Sequence, residues 1–225
     1  MKSLESLNKV IVSFRKCPRL VRWREQVARV KRKAYQDQQY WGLPVPGFGD
    51  PEAQVFVVGL APGAHGSNRT GRQFTGDASG NFLYPALARA GFANKGRAIS
   101  REDGLILKNM FITACARCAP PENKPTAGEL VNCQPFLERE LEIINPKVIV
   151  CLGRTAYERI LKIFSNAGLV NKFLHGASYP LPNGTWVVCS YHPSQQNTLT
   201  WRLTVEMFDS VWKTVRKLLK SEMKA

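Results

Sequence analysis

Four short runs of apolar, mostly β-branched residues are the feature that most restricts how this chain can fold. Polar and apolar positions do not alternate within them, so strands formed from these runs would be covered on both faces. Such strands are typical of a parallel sheet that lies between two layers of helices. The runs are Val55–Val58, Met110–Thr113, Val148–Leu152 and Trp186–Ser190.

Helical periodicity fills the intervals between these runs. Apolar residues recur at helical spacing over about residues 80–91, 126–143 and 154–165, and Trp201–Leu219 forms a further apolar stripe. The alternation of strands and helices predicts an α/β fold with a three-layer αβα arrangement. Because 225 residues can bury one sizeable core, we expect residues 1–225 to form a single domain.

Basic residues are concentrated at the N-terminal end of the chain. The formal net charge is +15 at pH 7, and residues 1–35 contain eleven Lys or Arg residues against Glu5 and Glu25. A charge of this kind favours an anionic polymer as the partner, and no strongly apolar face accompanies it to favour a membrane surface. Without a secretory signal or a run of eighteen apolar residues, we expect a cytoplasmic protein with no membrane span.

Four of the six cysteines have a spacing that suits a metal centre. Three of them fall in one proline-rich, irregular region, and the fourth follows the first helical pattern. Four thiolates would fit either a tetrahedral zinc ion or a [4Fe–4S] cluster, and the spacing does not choose between them. Buried free thiols are the alternative, which we assign to Cys151 and Cys189 inside predicted strands. The metal candidates are Cys17, Cys115, Cys118 and Cys133.

The loops that follow the predicted strands carry unusual sequences. VVGLAPGAHG at residues 57–66 resembles a phosphate-binding loop, but contains neither G-x-x-x-x-G-K-[ST] nor G-x-G-x-x-G. SNRTGRQFTGDASG follows it at residues 67–80, and YHPS stands at residues 191–194. Ligands of open α/β sheets bind at the carboxyl ends of the strands, so we expect the functional site in these loops.

In combination, these motifs closely resemble the family 5 (type B) uracil-DNA glycosylases. The shared segments are GLAPGAHG, RTGRQFTGD, C-x-x-C with a third cysteine, PKVIVCLG and HPS, in matching order from about residue 10 to the C-terminus. The resemblance implies a four-stranded parallel sheet with helices on both faces. It also implies a [4Fe–4S] cluster on the four candidate cysteines, which would tie the basic N-terminal segment to the domain.

The resemblance further implies hydrolysis of the N-glycosidic bond of uracil in DNA, which leaves an abasic site for base excision repair. Other families of the wider superfamily place Asp, Asn or Glu in the first motif, whereas residues 59–63 have no titratable group here. The type B family shares this absence. Family 4 relatives carry Asn just before the C-x-x-C, where this chain has Ala114.

Breaking this bond builds positive charge on the sugar and negative charge on the leaving base. Asp77 is the candidate to activate water and face the sugar, although it could instead cap a helix. His192 is the candidate donor to the base O2, with an ordinary structural histidine as the alternative. Asn123 is a second polar candidate beside the water or the base, and turn chemistry explains it equally well.

Phe74 is the candidate for stacking on an extruded base, and an ordinary core phenylalanine is the alternative. The small residues of the opening loop would let its backbone approach the nucleotide closely. The residues expected to bind the base are Gly59, Leu60, Ala61, Gly63, His65, Phe74 and His192.

Contacts with the DNA strand are expected from basic and polar loop residues. Residues 194–198 would enter the minor groove to fill the vacated stack, as a weak wedge because their side chains are polar. The cluster would hold Arg117 against DNA, and His175 is a candidate phosphate contact. The other DNA-binding candidates are Arg69, Arg72, Ser194, Gln195 and Asn197.

Few side chains read the base in this scheme, so we expect activity on uracil and also on other deaminated bases such as hypoxanthine. The substrate would be single- or double-stranded DNA, and the protein a monomer. The competing interpretations are a non-catalytic iron–sulfur DNA-binding protein, a mismatch-directed thymine glycosylase and a zinc-bound structural module.

Overall fold

Six strands form one sheet in the order β1-β3-β2-β4-β6-β5. The structure is a computed structural model that describes residues 3–164 and 172–221. The other residues of the predicted domain lie outside the described residues, and so does the end of the helix predicted at 154–165. The strands are β1 (Phe48–Gly49), β2 (Val55–Gly59), β3 (Met110–Ala114), β4 (Val148–Leu152), β5 (Ser178–Pro180) and β6 (Trp186–Ser190).

The four central strands, β3, β2, β4 and β6, are parallel, as predicted. Every residue of β2, β3 and β4 is buried, which explains why their sequences are apolar throughout. The sequence did not predict the two edge strands, β1 and β5, which pair antiparallel with β3 and β6. Two or three residues are too short to show a periodicity.

Helices cover both faces of this sheet. They are α1 (Leu4–Ser13), α2 (Pro18–Val30), α3 (Ser67–Thr70), α4 (Ala78–Arg89), α5 (Ala127–Ile144), α6 (Arg154–Ile163), α7 (Gln195–Leu199) and α8 (Val205–Ser221). Val57 and its neighbours in register face a core formed with α4 and α8. Phe56 and its neighbours face the opposite core, formed with α5 and α6. The predicted three-layer αβα arrangement is therefore confirmed.

The N-terminal helices extend the α5 side of the domain. Leu7 and Ile11 of α1 pack against Phe136 of α5. Cys17, at the N-cap of α2, and Leu20 pack with Cys118 from the loop after β3. Among the residues that the structure describes, no helix is both long and apolar enough to span a bilayer.

Arg117 forms an ion pair inside the protein. Both its side chain and that of Glu140 in α5 are fully buried, with nitrogen–oxygen distances of 3.0 and 2.7 Å. The same guanidinium donates to the hydroxyl of Thr113. The prediction that Arg117 faces DNA is therefore wrong, because its charge is compensated and shielded from solvent. It holds the loop after β3 against α5 instead.

Candidate active site

Asp77 joins the loop after β2 to the start of α4. Its Oδ1 accepts a hydrogen bond of 2.9 Å from the backbone N–H of Gly80, so it is the N-cap of α4. Its Oδ2 lies against the glycine loop, since a Cβ at Gly63 would be 3.0 Å from Oδ2 and one at Gly66 would overlap it. One oxygen thus caps the helix while the other faces the loop.

The environment of Asp77 opposes its ionisation. Burial raises the pKa of the carboxyl above its ordinary value, although backbone hydrogen bonds from Gly80 and Ser79 and the charge of Arg69 act in the opposite direction. A partly buried carboxylate with a raised pKa, packed against a strand-end loop, is the kind of group that serves as a base in active sites.

Phe74 packs on the same loop from the other side. It has a left-handed backbone with φ of 52°, and its N–H donates to the hydroxyl of Ser67 at 3.0 Å. A Cβ at Gly59 would lie 2.7 Å from the Phe74 Cζ. Gly59 and Gly66 therefore make room for Phe74 and Asp77, and the close approach of the loop to a nucleotide stays a prediction.

His192 follows β6 and meets Phe74. Their ring centroids are 5.8 Å apart, and a Cβ at Gly153 would be in contact with the His192 Cβ at 3.5 Å. Burial lowers the pKa of His192 to about 4, so the imidazole is neutral at pH 7. The predicted residues Asp77, Phe74 and His192 therefore lie around one edge of the sheet, linked through Phe74 and the glycine loop.

A cavity of about 430 Å³ opens beside His192. Leu60 and Asn197 line it together with residues at the start of α6. Its two arginines, Arg154 and Arg202, are exposed, and the sequence analysis missed both. Arg154 is the first residue of α6, directly after the PKVIVCLG motif, so its position at the end of β4 could have indicated it.

Arg69 and Arg72 are buried, so the prediction that they contact DNA is corrected. Arg72 forms two hydrogen bonds with Asp103, at 3.0 and 2.8 Å. Arg69 donates to the backbone oxygens of His65 at 2.7 Å and Gly76 at 2.9 Å. Both guanidinium groups are occupied in holding the loop that carries Phe74 and Asp77.

The segment after His192 differs from its predicted form. The Ser194 hydroxyl accepts from the N–H of Asn197 at 3.4 Å as the N-cap of α7, and the Asn197 amide donates to the His192 oxygen at 2.8 Å. Gln195 is exposed. Just beyond these polar residues, Leu199 and Trp201 are 74% and 79% exposed.

Trp201 was wrongly assigned to the apolar stripe of the last helix. That helix, α8, begins at Val205, and Trp201 stands in the preceding turn with φ of 59°. The wedge predicted at 194–198 stays a prediction, and the exposed apolar side chains of Leu199 and Trp201 lie just beyond it.

The remaining polar candidates are His65, His175 and Asn123. His65 shares a hydrogen bond of 3.0 Å with the hydroxyl of Tyr40, which ties the opening loop to the N-terminal segment. His175 accepts the N–H of Tyr191 at 3.0 Å and stacks on its ring, so it supports the cavity wall. Asn123 is exposed in a 3-10 turn with φ of 57°, as turn chemistry predicts, and its catalytic role stays a prediction.

The four metal candidates are buried and unpaired by disulfides. Burial raises the pKa of Cys115 to about 12 and that of Cys118 to about 11, while Arg117, Arg159 and Arg24 act to lower them. Within the described residues, no three His, Cys, Asp or Glu side chains are grouped to hold a single metal ion.

The sequence of the chain is similar to those of one enzyme family. The sequence profile of the uracil DNA glycosylase superfamily matches residues 46–216. The chain is 51% identical to the type-5 uracil-DNA glycosylase of Thermus thermophilus, over 95% of this chain and 97% of that protein. It is 48% identical to the type-5 enzyme of Mycobacterium leprae, over 96% of both chains. The type-4 enzyme of Archaeoglobus fulgidus is 32% identical over 86% and 83%.

The two oxygens of Asp77 can be tested separately through stability. Asp77→Asn keeps an acceptor for the Gly80 N–H, whereas Asp77→Ala removes the cap and should cost about 1 kcal/mol in the free energy of unfolding. Because the folded pKa is raised, the wild type should lose stability as pH rises from the ordinary Asp value through that pKa, and Asp77→Asn should not.

Urea unfolding of the three proteins at acid and neutral pH measures both effects. Asp77→Asn should match the wild type in acid and equal or exceed it at neutral pH. Equal destabilisation by Asn and Ala at neutral pH would contradict this account of the carboxylate.

Proposed function

The chain belongs to the uracil DNA glycosylase superfamily, and on that premise we propose that its strand-end site excises uracil from DNA and leaves an abasic site. The observation that supports this most directly is the packing of Asp77 and Phe74 on one glycine loop, with His192 against Phe74. DNA is the substrate, and hydrolysis of the N-glycosidic bond is the reaction of this repair enzyme.

Asp77 serves the sugar side of the reaction. Its Oδ2, which does not cap α4, accepts a proton from the attacking water or orients that water toward the anomeric carbon. The same negative charge stabilises the cationic sugar that forms as the bond breaks. Because the pKa of Asp77 is raised, its carboxylate is a better base than an exposed aspartate.

His192 serves the base. A neutral imidazole at pH 7 acts as a hydrogen-bond donor rather than as a proton donor, so it stabilises negative charge on the uracil O2 without an acidic histidine. Among the described residues, none forms a hydrogen bond with a ring nitrogen of His192, so the imidazole N–H is free to donate to the base.

Phe74 and the loop residues 60–65 form the remaining contacts with the base. The ring of Phe74 is 7% exposed and is fixed by Gly59 and His192, which suits a rigid stacking surface. Leu60 borders the cavity beside His192, while Ala61, Gly63 and His65 offer backbone or imidazole contacts. Few fixed side-chain donors surround the base, so activity on hypoxanthine stays a prediction.

Base release should depend strongly on Asp77 and His192. We expect Asp77→Asn and His192→Ala each to lower the single-turnover rate on a uracil-containing duplex by more than tenfold, or over about 1.4 kcal/mol of barrier. Asp37→Asn makes the same chemical change at an exposed site and should leave the rate unchanged.

The pH dependence gives a second readout of the same assignment. The wild-type rate should fall as pH decreases through the raised pKa of Asp77, and this limb should be absent in Asp77→Asn. If Asp77→Asn retained activity, the role of positioning the water would be assigned to Asn123 or to backbone groups instead. An absence of abasic product from the wild type would favour a non-catalytic DNA-binding protein.

The exposed surface beside the cavity would hold the DNA. Arg154 and Arg202 are placed to contact phosphates next to the extruded nucleotide. Leu199 and Trp201 would enter the gap that the base leaves, because they are exposed apolar side chains at the end of α7 and in the turn that follows it. Such a wedge offsets part of the few kcal/mol that unstacking costs.

The wedge predicts a substrate-dependent effect. Trp201→Ala and Leu199→Ala should slow excision from duplex DNA by about tenfold, and leave excision from single-stranded DNA nearly unchanged, since that substrate needs no unpairing. Val30→Ala removes a similarly exposed apolar side chain in α2 and is the matched control. Equal losses on both substrates would contradict a role in unpairing.

We propose a [4Fe–4S] cluster as the cofactor, because Cys17 packs with Cys118 and Cys133 lies close enough to act on the pKa of both Cys115 and Cys118. Cys17, Cys115, Cys118 and Cys133 would be its ligands, and it would be structural, joining α2 to α5 and the loop after β3. The surroundings suit an anionic group, since Arg24 is fully buried and donates to the Cys118 Sγ at 3.0 Å. The Nε and Nη2 of Arg24 have no hydrogen-bond partner among the described residues.

Arg24 should therefore tune the cluster. Arg24→Gln removes a positive charge and donors, so we expect a more negative reduction potential and faster loss of iron under air. Arg22→Gln, an exposed change in the same helix, should alter neither. Iron and acid-labile sulfide analysis comes first: a colourless protein that holds zinc would reject the cluster, whereas an unchanged potential would reject only the role of Arg24.

A further inference from the structure

A second cavity, of about 560 Å³, lies between α4 and α8. It is far from the candidate active site. Asp77 caps the N-terminal end of α4, whereas Ala86 and Ala90 line the cavity at the other end of that helix. At 1.5 Å per residue the two ends are about 18 Å apart. DNA held by the strand-end loops would leave this cavity open.

The floor of the cavity is apolar. Trp212 of α8 lines it and is 1% exposed, and the small side chains of Ala86 and Ala90 line it as well. An apolar floor between small side chains suits an occupant that has an apolar side chain.

The rim of the cavity is cationic. Lys213, Lys217 and Lys220 stand at i, i+4 and i+7 of α8, all exposed, and none has an ion pair within residues 3–164 and 172–221. The neighbouring arginines are already occupied: Arg89 pairs with Asp209 at 2.7 Å, and Arg216 donates to the Ala90 oxygen at 2.8 Å. Three like charges on one face of a helix repel one another, and an anionic partner would relieve this.

We propose that this cavity is a docking site for a short acidic peptide segment of a partner protein. A large apolar side chain of the peptide fills the space over Trp212, and its carboxylates meet the three lysines. A peptide fits better than duplex DNA, because the bases of a duplex are stacked inside it and its exposed sugar-phosphate backbone has no apolar side chain for the floor. The site is separate from the proposed glycosylase centre and does not depend on it.

Fluorescence anisotropy of the full chain with fluorescein-labelled Asp-Asp-Glu-Asp-Leu-Phe tests the proposal. We expect saturable binding that weakens with salt, and about tenfold or greater weakening in the Lys213→Glu/Lys217→Glu variant. Arg29→Glu/Lys33→Glu makes the same charge change at exposed positions in α2 and the turn after it, and should weaken binding far less.

Two further measurements distinguish peptide binding in the cavity from attraction between opposite charges alone. The peptide Asp-Asp-Glu-Asp-Ala-Ala should bind about tenfold more weakly, and Ala90→Met, which lengthens a side chain on the cavity wall, should weaken Leu-Phe binding without changing the net charge. Uracil excision by the Lys213→Glu/Lys217→Glu and Ala90→Met variants should equal that of the wild type. Equal rates would show that both variants are folded, and they keep this test independent of the glycosylase assignment.

Three results would overturn the proposal. One is the absence of saturable peptide binding by the wild type. Another is equal binding by the Lys213→Glu/Lys217→Glu variant and the wild type. The third is a loss in that variant of affinity for uracil-free duplex DNA, with peptide binding unchanged, which would make the rim a nucleic-acid surface.

Discussion

The close contact of the loop after β2 with Asp77 and Phe74 is the constraint on which the site depends. Because Gly59 and Gly66 have no Cβ, the ring of Phe74 and the Oδ2 of Asp77 lie directly on the backbone that leaves the central strand. A side chain at either glycine would push one of these groups away. The loop therefore fixes the ring of Phe74 and the carboxylate of Asp77 relative to the sheet.

Buried arginines hold this arrangement in place. The loop is held by the ion pair of Arg72 with Asp103. It is also held by the hydrogen bonds that Arg69 donates to the backbone oxygens of His65 and Gly76. Arg117 and Glu140 do the same for the loop after β3. Part of the large positive charge is therefore structural, since breaking such a buried pair would leave an uncompensated charge in the interior. Exposed cations elsewhere, among them Arg154, Arg202 and the lysines of α8, are available to partners.

Sequence reasoning succeeded where a pattern has one physical meaning. Strands without polar residues must be buried on both faces, so the central sheet and its two helical layers followed from four short runs. Asp77 could be read both as a cap and as a catalytic group, and its two oxygens permit both. Sequence reasoning failed where a residue type has several uses. An arginine in a polar loop can form an ion pair inside the protein as readily as it binds phosphate. Trp201 fits the helical spacing of the apolar residues in α8, but it lies before that helix and is exposed.

The sequence by itself determined the fold class, the edge of the sheet that carries the site and the family, because hydrophobic patterning and motif order are local properties of the chain. Only the tertiary structure decided which basic side chains are exposed to solvent and which are paired inside the protein. Whether Arg69 or Arg154 meets solvent depends on carboxylates and backbone oxygens brought near by folding. The cavity lined by Trp212 likewise exists only because α4 and α8, which are distant in sequence, pack side by side. The hydrophobic periodicity of neither helix predicts it.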